Sequence, residues 1–386
     1  MSFSKPPLQH VAYACWIAVA IGVTVSPFVH KGYWNGVFPD FRWAAIEWTE
    51  GGDTYLPDRE YRFPPITTLL LVPFAYAGEL VGGALWRWFN IAVYLGAVFW
   101  AFRVAFPKSM PRLARAGILL LLLAPSITSL NNAQANGLVI GMLIASAVAL
   151  QQERYRLAAF LAAGPVGIKL YPIAFGMVAG VLRPRRFLPW FVLFVAACAL
   201  VPFLAQHPDY VRRQYAMLFE RLQHDDRAGD VTRMYRDVRL VFAAVGIQFG
   251  DRIYMVIQVF AGAGIAGLCL LGKRAGWSAN RLFGYALALV CCWMTVFGPT
   301  TEKATYIFTT PVLAWCLIDA RVDLRWGALR FYIALYLAYI LPLLAGGRAI
   351  RWMPARVALP LATLVLFGAL IRRAVRDLRA RPASLP

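Results

Sequence analysis

Acidic side chains are scarce in this chain. Its 386 residues hold 19 Asp and Glu against 39 Lys and Arg, for a formal net charge of +20. There are six cysteines. Cys15, Cys198, Cys269 and Cys316 lie inside apolar runs, and Cys291 and Cys292 are adjacent in another, so no spacing suggests a disulfide framework or a metal site. Four histidines, none paired at ligand spacing, argue against a catalytic zinc centre, and no metal is expected. P-loop, dinucleotide, H-E-x-x-H and Ser-His-Asp patterns are all missing. No internal repeat of fixed period or low-complexity tract is present, and there is no room for a sizeable soluble domain. A cleavage pattern of small residues is also lacking near the N-terminus, so 11–29 reads as a retained first span.

What is abundant is apolar. Hydrophobic residues make up 60 % and charged residues 15 %, whereas soluble domains carry about 25 % charge. Apolar runs of roughly 17–25 residues, the length that crosses a hydrocarbon core, recur from end to end. The reading is an all-α polytopic membrane protein of about twelve transmembrane helices, 1–386 forming one domain. The expected spans are 11–29, 65–82, 84–105, 115–130, 136–150, 157–182, 187–206, 252–272, 281–297, 305–319, 327–345 and 355–371. Trp86 and Trp88 are expected as interfacial anchors. Two larger loops, 31–65 and 207–250, stand out, each expected to carry an interfacial helix.

An even number of crossings puts both termini on one side. The basic tail R-R-A-V-R-D-L-R-A-R argues that this side is cytoplasmic, with both large loops outside. Lys108, Arg112, Arg115, Arg154 and Arg156 then fall outside. Reversal would instead expose the tail, Arg183–Arg186 and Lys273-Arg274, so charge counting favours neither model strongly. The positive charge fits anionic headgroups and the phosphates of lipid-linked substrates better than nucleic acid.

The first loop is unlike the spans around it. Six of the acidic residues fall between Phe38 and Pro65: Asp40, Glu47, Glu50, Asp53, Asp58 and Glu60. They are interleaved with Phe38, Phe41, Trp43, Trp48, Tyr55, Tyr61 and Phe63. Asp40 precedes an amphipathic run (Phe41, Ala44, Ala45, Trp48) at helical spacing. A surface helix over 41–50 would hold it at the positive end of the dipole, which favours the ionised carboxylate that a general base needs. The plainer alternative is an ordinary interfacial loop.

Three further stretches place polar groups in or beside apolar runs, where they are costly. N-N-A-Q-A-N supplies Asn132, Gln134 and Asn136, suited to sugar hydroxyls or equally to a helix–helix network. G-I-K-L-Y-P contains Lys169, the only lysine inside an expected span. It would pair with a phosphate, or serve packing from mid-membrane. Pro172 makes a helix break plausible, and with it a re-entrant pair 157–168 and 173–182 that brings Lys169 towards the surface. G-P-T-T-E-K-A-T-Y offers Glu302 and Lys303 either to a site or to a capped turn.

In order and spacing over about residues 35–180, D-F-R-W-A-A, G-G-D-T-Y, Y-R-F-P-P, N-N-A-Q-A-N and G-I-K-L-Y-P resemble the polyprenol-phosphate-dependent glycosyltransferases of the GT-C type. More narrowly they resemble glycosyltransferase family 87, which includes a mycobacterial phosphatidylinositol-mannoside mannosyltransferase. The resemblance implies that Asp40 is the catalytic base and that the donor is a sugar on a polyprenyl phosphate, mannose first among candidates. The acceptor would be a glycolipid or glycan hydroxyl, the cofactor requirement none, and the protein a monomer in the bacterial cytoplasmic membrane with its site on the extracytoplasmic side. Lys169, Arg62 and Lys303 are then candidates for the donor phosphate. Asn132, Gln134, Asn136, Glu302 and Tyr61 are candidates for sugar and acceptor. Three departures stand out: Phe63-Pro64-Pro65 replaces Tyr-Pro-Pro, Ala133 replaces Gly before Gln, and Gly298-Pro299-Thr300-Thr301-Glu302 lacks a histidine. The last puts the same sugar or acceptor in question. A transporter or flippase of lipid-linked sugars is the competing class, although no inverted repeat is visible. A polysaccharide polymerase or ligase is the enzymatic alternative, but its polar residues would concentrate late in the chain.

Overall fold

The computed structural model describes residues 8–29, 36–57, 59–106, 110–223, 234–344 and 353–379. Residues 31–35 and Asp58 of the first loop, Lys108, 224–233 of the second loop and the end of the basic tail lie outside the described residues. Among the described residues every regular element is helical. In chain order the α-helices are α1 (Leu8–Val29), α2 (Phe38–Glu50), α3 (Pro65–Tyr76), α4 (Glu79–Val104), α5 (Arg112–Asn131), α6 (Asn136–Gln151), α7 (Tyr155–Ile168), α8 (Ile173–Leu182) and α9 (Leu188–Leu200). They continue as α10 (Pro202–Ala205), α11 (Pro208–Gln223), α12 (Val238–Ala243), α13 (Asp251–Arg274), α14 (Ala279–Val296), α15 (Thr310–Val322), α16 (Trp326–Leu344) and α17 (Met353–Arg379). A 3-10 turn, Lys303–Phe308, precedes α15.

The all-α polytopic class holds. Eight helical segments, with α9 and α10 taken together as the run Leu188–Ala205, are long and apolar enough to cross a membrane, and α3, α6, α7 and α8 are apolar but shorter. The count of twelve full-length spans is therefore not reproduced, and two of the expected spans differ in kind.

The span expected at 65–82 does not cross. Pro64 caps α3 and Pro65 opens it, as a residue without an N–H can. The helix then ends at Tyr76, and the chain reverses at Gly78 (φ +86°). The Tyr76 hydroxyl lies 2.9 Å from Thr49 Oγ1, and Arg42 Nε donates to the Ala75 carbonyl at 3.2 Å, so α3 lies back along α2.

The span expected at 157–182 is two helices. Lys169 is extended (φ −139°, ψ 134°), and Pro172, lacking an N–H for the helix ladder, stands at the start of α8. Arg154 and Arg185, at the outer ends of α7 and α8, line one cavity, while Lys169, Leu170 and Tyr171 between them line another. The pair is a hairpin that goes in and returns. The re-entrant alternative is the one realised, and the straight helix is not.

Losing the first crossing inverts the sidedness expected for the segment that follows, and the hairpin restores it: Arg112, Arg115, Arg154 and Arg156, expected outside with the large loops, stand instead at the end that holds the termini. Tyr13 of α1 meets Phe99 of α4 edge-on at 6.1 Å, Asn280 donates to the Ala105 carbonyl at 2.5 Å, and Tyr285 donates to Asp377 at 2.8 Å. The start of α1 and the end of α17 thus share one end of the bundle. Both large loops gather at the other. Gln206 donates to the Trp48 carbonyl at 2.7 Å and Tyr210 to the Gly52 carbonyl at 2.8 Å. Buried Gln214 accepts from the Thr54 hydroxyl at 2.6 Å. The interfacial helix expected late in the second loop is short, six residues, capped by Asp237 through the N–H of Arg239 at 2.9 Å.

Trp86 is not the interfacial anchor expected of it. It is fully buried and donates Nε1 to the Ala133 carbonyl at 2.9 Å, while exposed Trp88 reaches Thr24 at 2.9 Å. Buried Arg87 beside it donates to the carbonyls of Gly83, Leu130 and Asn131 at 2.9–3.0 Å, which satisfies a cation that burial would otherwise penalise. Gly141 lets α6 press against α4, since a Cβ there would collide with the Tyr94 backbone.

Candidate active site

At the loop end a cavity of about 430 Å³ opens between the first loop, the α7–α8 tip and the segment before the 3-10 turn. Asp40, Glu60, Arg62, Lys169, Arg221 and Glu302 are its charged lining, and Tyr61, Phe63, Tyr171 and Tyr235 its aromatic walls.

Helix α2 presents Asp40. Its apolar face (Phe38, Phe41, Ala44, Ala45, Trp48) is buried, Pro39 suits the first turn, and Gly51 ends the helix in the left-handed conformation (φ +80°). The entry is fixed at Gly36, where φ is +66° and a Cβ would strike the Asn132 backbone, and at Val37, whose N–H donates to the Asn132 carbonyl at 3.1 Å. Asp40 falls in the first turn, at the positive end of the dipole. Burial nonetheless pushes its carboxyl above the ordinary value; the Arg59 guanidinium, 3.8 Å away, pulls it back, and Glu60 pushes it up again. Arg59 is itself held over the Trp43 ring at 4.8 Å.

Tyr61 lines the cavity with its ring. Its hydroxyl is already engaged with Thr68 Oγ1 at 2.9 Å, and the ring packs with Phe41, Phe63 and Tyr55. The loop that carries Tyr61 and Arg62 is clamped by α11, through Gln214 and through Arg213, which meets Asp53 at 3.1 Å. Arg221 of the same helix donates to the Arg59 carbonyl at 3.0 Å.

Lys169 Nζ donates to Asn136 Oδ1 at 2.7 Å, and Asn136 Nδ2 donates to the Ala304 carbonyl at 3.0 Å. Asn136 is therefore a holder of Lys169 and of the 3-10 turn; it does not line the cavity. Lys169 also sits 5.8 Å from the Phe63 ring and 5.9 Å from the Tyr171 ring. The two alternatives for Glu302 prove compatible. It forms a capping box with Thr305 at the start of the 3-10 turn, and it lines the cavity, accepting from Gln134 Nε2 at 3.1 Å.

Asn132 and Lys303 stand apart. They line a neighbouring cavity of about 490 Å³ with Arg236 and Arg356, which shares Tyr235 and Glu302 with the first. The fold thus brings Asp40, Tyr61, Arg62, Gln134, Lys169 and Glu302 to one cavity and leaves Asn132, Asn136 and Lys303 outside its lining. Sequence reading missed Glu60, Arg221 and Tyr235 as site residues. Glu60 had a signal, since it adjoins Tyr61 in the acidic loop; the other two come from a loop whose spacing carries none. Among the described residues, no three His, Cys, Asp or Glu side chains gather as metal ligands.

Apolar helices long enough to cross a bilayer, arranged about a charged and aromatic-walled cavity at one end, define a multi-pass membrane protein with a polar site between its helices. The chain belongs to glycosyltransferase family 87, whose family profile matches residues 61–299. It is a membrane glycosyltransferase, which sets the transporter reading aside. The match takes in Tyr61, Arg62, Gln134, Lys169 and Arg221, while Asp40 and Glu302 lie outside it. A comparison with curated proteins finds no match.

Proposed function

We propose that the chain transfers a sugar, mannose first among candidates, from a polyprenyl-phosphate donor to a hydroxyl of a lipid-linked or glycan acceptor, by single displacement with inversion. The observation that carries this reading is the shared cavity: Asp40 lines the same space as the cations Arg62, Lys169 and Arg221. The acceptor oxygen attacks the anomeric carbon as Asp40 takes its proton. The bond from that carbon to the phosphate oxygen breaks, and polyprenyl phosphate leaves as a monoester whose growing charge those cations stabilise. Gln134 and Glu302 offer hydrogen bonds to sugar hydroxyls, and the Tyr61 and Tyr171 rings supply flat walls. The neighbouring cavity gives the acceptor a place on the far side of Glu302. The cytoplasmic membrane of a bacterium, with the site facing outward, suits a donor delivered in the outer leaflet.

The test is transfer from labelled polyprenyl-phosphate sugars by purified protein in proteoliposomes. Asp40→Asn should fold normally and lose about 10²–10⁴-fold in rate, the usual effect of removing a general base. Activity within a few-fold of the parent at equal protein level would remove Asp40 from that role.

A further inference from the structure

A third cavity, of about 590 Å³, lies at the opposite end of the bundle, between the turn joining α6 to α7 and the turn joining α8 to α9. The first turn brings Arg154 and Arg156, the second Arg185 and Arg186, and the single acidic residue in the lining is Glu153. Glu153 and Arg186 approach to 3.7 Å, both about two-thirds exposed, a geometry worth little in water. Among the described residues Arg154, Arg156 and Arg185 have no carboxylate partner. Two of the guanidinium groups are laid against rings, Arg156 over Trp190 at 4.4 Å and Arg186 over Tyr155 at 5.7 Å. Such stacking occupies a face of the guanidinium and leaves its edge N–H groups for a phosphate.

The surface adjoining this basic rim is apolar. One turn beyond Arg156 on α7, Phe160 is 53 % exposed and meets Phe194 of α9 edge-on at 5.6 Å. Trp190, one turn before Phe194, tilts against it at 6.3 Å, and Val192 and Leu193 beside it are exposed. Four cations at the end of a helix pair, above a continuous aromatic and aliphatic face, match a molecule with an anionic head and a hydrocarbon tail. A free phosphate would use the rim and leave the face idle. Basic pockets between transmembrane helices are a recurrent way of holding phosphate-bearing headgroups, and a tryptophan at their edge suits the interface.

We propose that this pocket binds an anionic phospholipid of the leaflet at the end of the bundle opposite the catalytic cavity. Its phosphate lies between the Arg154–Arg156 and Arg185–Arg186 pairs, and an acyl chain lies along Phe160 and Phe194. The site is independent of the glycosyl-transfer chemistry.

The test is lipid retention by the full chain, purified in detergent and measured by native mass spectrometry and by thermal shift. The probes are phosphatidylglycerol, phosphatidylcholine and inorganic phosphate. Phosphatidylglycerol should be retained and protective, and the other two not. The double variant Arg154→Gln with Arg185→Gln should weaken that binding by roughly 10–30-fold, as expected for two lost headgroup contacts. Arg154→Lys with Arg185→Lys should keep much of it, and Arg330→Gln, a charge removed at the same end away from the pocket, should change nothing. Equal retention of phosphatidylcholine, protection by inorganic phosphate alone, or undiminished binding in the Gln variant whose elution and lipid-free melting match the parent would each overturn the proposal.

Discussion

At the scale of the residue, Asp40 is balanced between opposing influences. Burial and Glu60 raise its carboxyl above the ordinary value, about 3.9, and Arg59 works the other way. A base acts in its ionised form, so transfer should fall as pH drops through the raised value, placing the acid limb of kcat/KM above that of a free aspartate. Glu60→Gln should move the limb down, and Arg59→Gln should move it up, read from pH profiles on the same donor and acceptor. A limb that moves in neither variant would mean another group is titrating. Asp40 itself was legible in the sequence, because a carboxylate ahead of an amphipathic run reads as a first-turn residue. Arg59 was not, since its link to Asp40 depends on a loop folding back over Trp43.

At the scale of the element, hydropathy reports how long an apolar run is and says nothing of its direction. That is why 65–82 and 157–182 read as crossings. The first conceals a reversal at Gly78 and the second a break at Lys169. The break was legible through Pro172, the reversal less so because α3 and α4 are both apolar on either side of it. As a hairpin tip, Lys169 belongs to the cavity and to Asn136 together. Lys169→Met should raise the donor concentration needed for half-maximal transfer by at least about tenfold, the scale of one lost charged hydrogen bond, with little change for the acceptor. Lys169→Arg should keep part of the activity. A Met variant that melts lower yet binds donor normally would make the lysine a packing residue. Arg221 and Tyr235 escaped sequence reading for the converse reason. They reach the cavity from the second large loop, which the clamp of Gln214 on Thr54 draws over the first, and a tertiary clamp leaves no periodic trace.

At the scale of the whole molecule, both large loops share one end and the helical termini the other. Glu50→Cys and Arg212→Cys, each exposed at the loop end, should react with an impermeant thiol reagent on intact cells. Arg372→Cys, exposed near the end of α17, should react only after permeabilisation. Labelling of Arg372→Cys alone in intact cells would invert the orientation, and labelling of only one of the two loop positions would contradict the fold. This arrangement followed from the even number of expected spans, and it survived two misread spans because the second restores the sidedness that the first inverts.

The α7 and α8 helices, of 14 and 10 residues, rise only about 21 and 15 Å, against a hydrocarbon core of about 30 Å. Much of the insulating thickness beneath the cavity is thus the hairpin itself. A transmembrane voltage drops across low-dielectric material and hardly at all across a polar cavity, so the field concentrates along these two helices. Carrying one elementary charge through the full drop exchanges about 2.3 kcal/mol per 100 mV. The proposed anionic donor, entering from the loop end, should then meet only the shallow part of that drop on its way to the tip. In that picture Lys169 would stand at the upper plate of a thin molecular capacitor, and the arginines at the far ends of α7 and α8 at the lower.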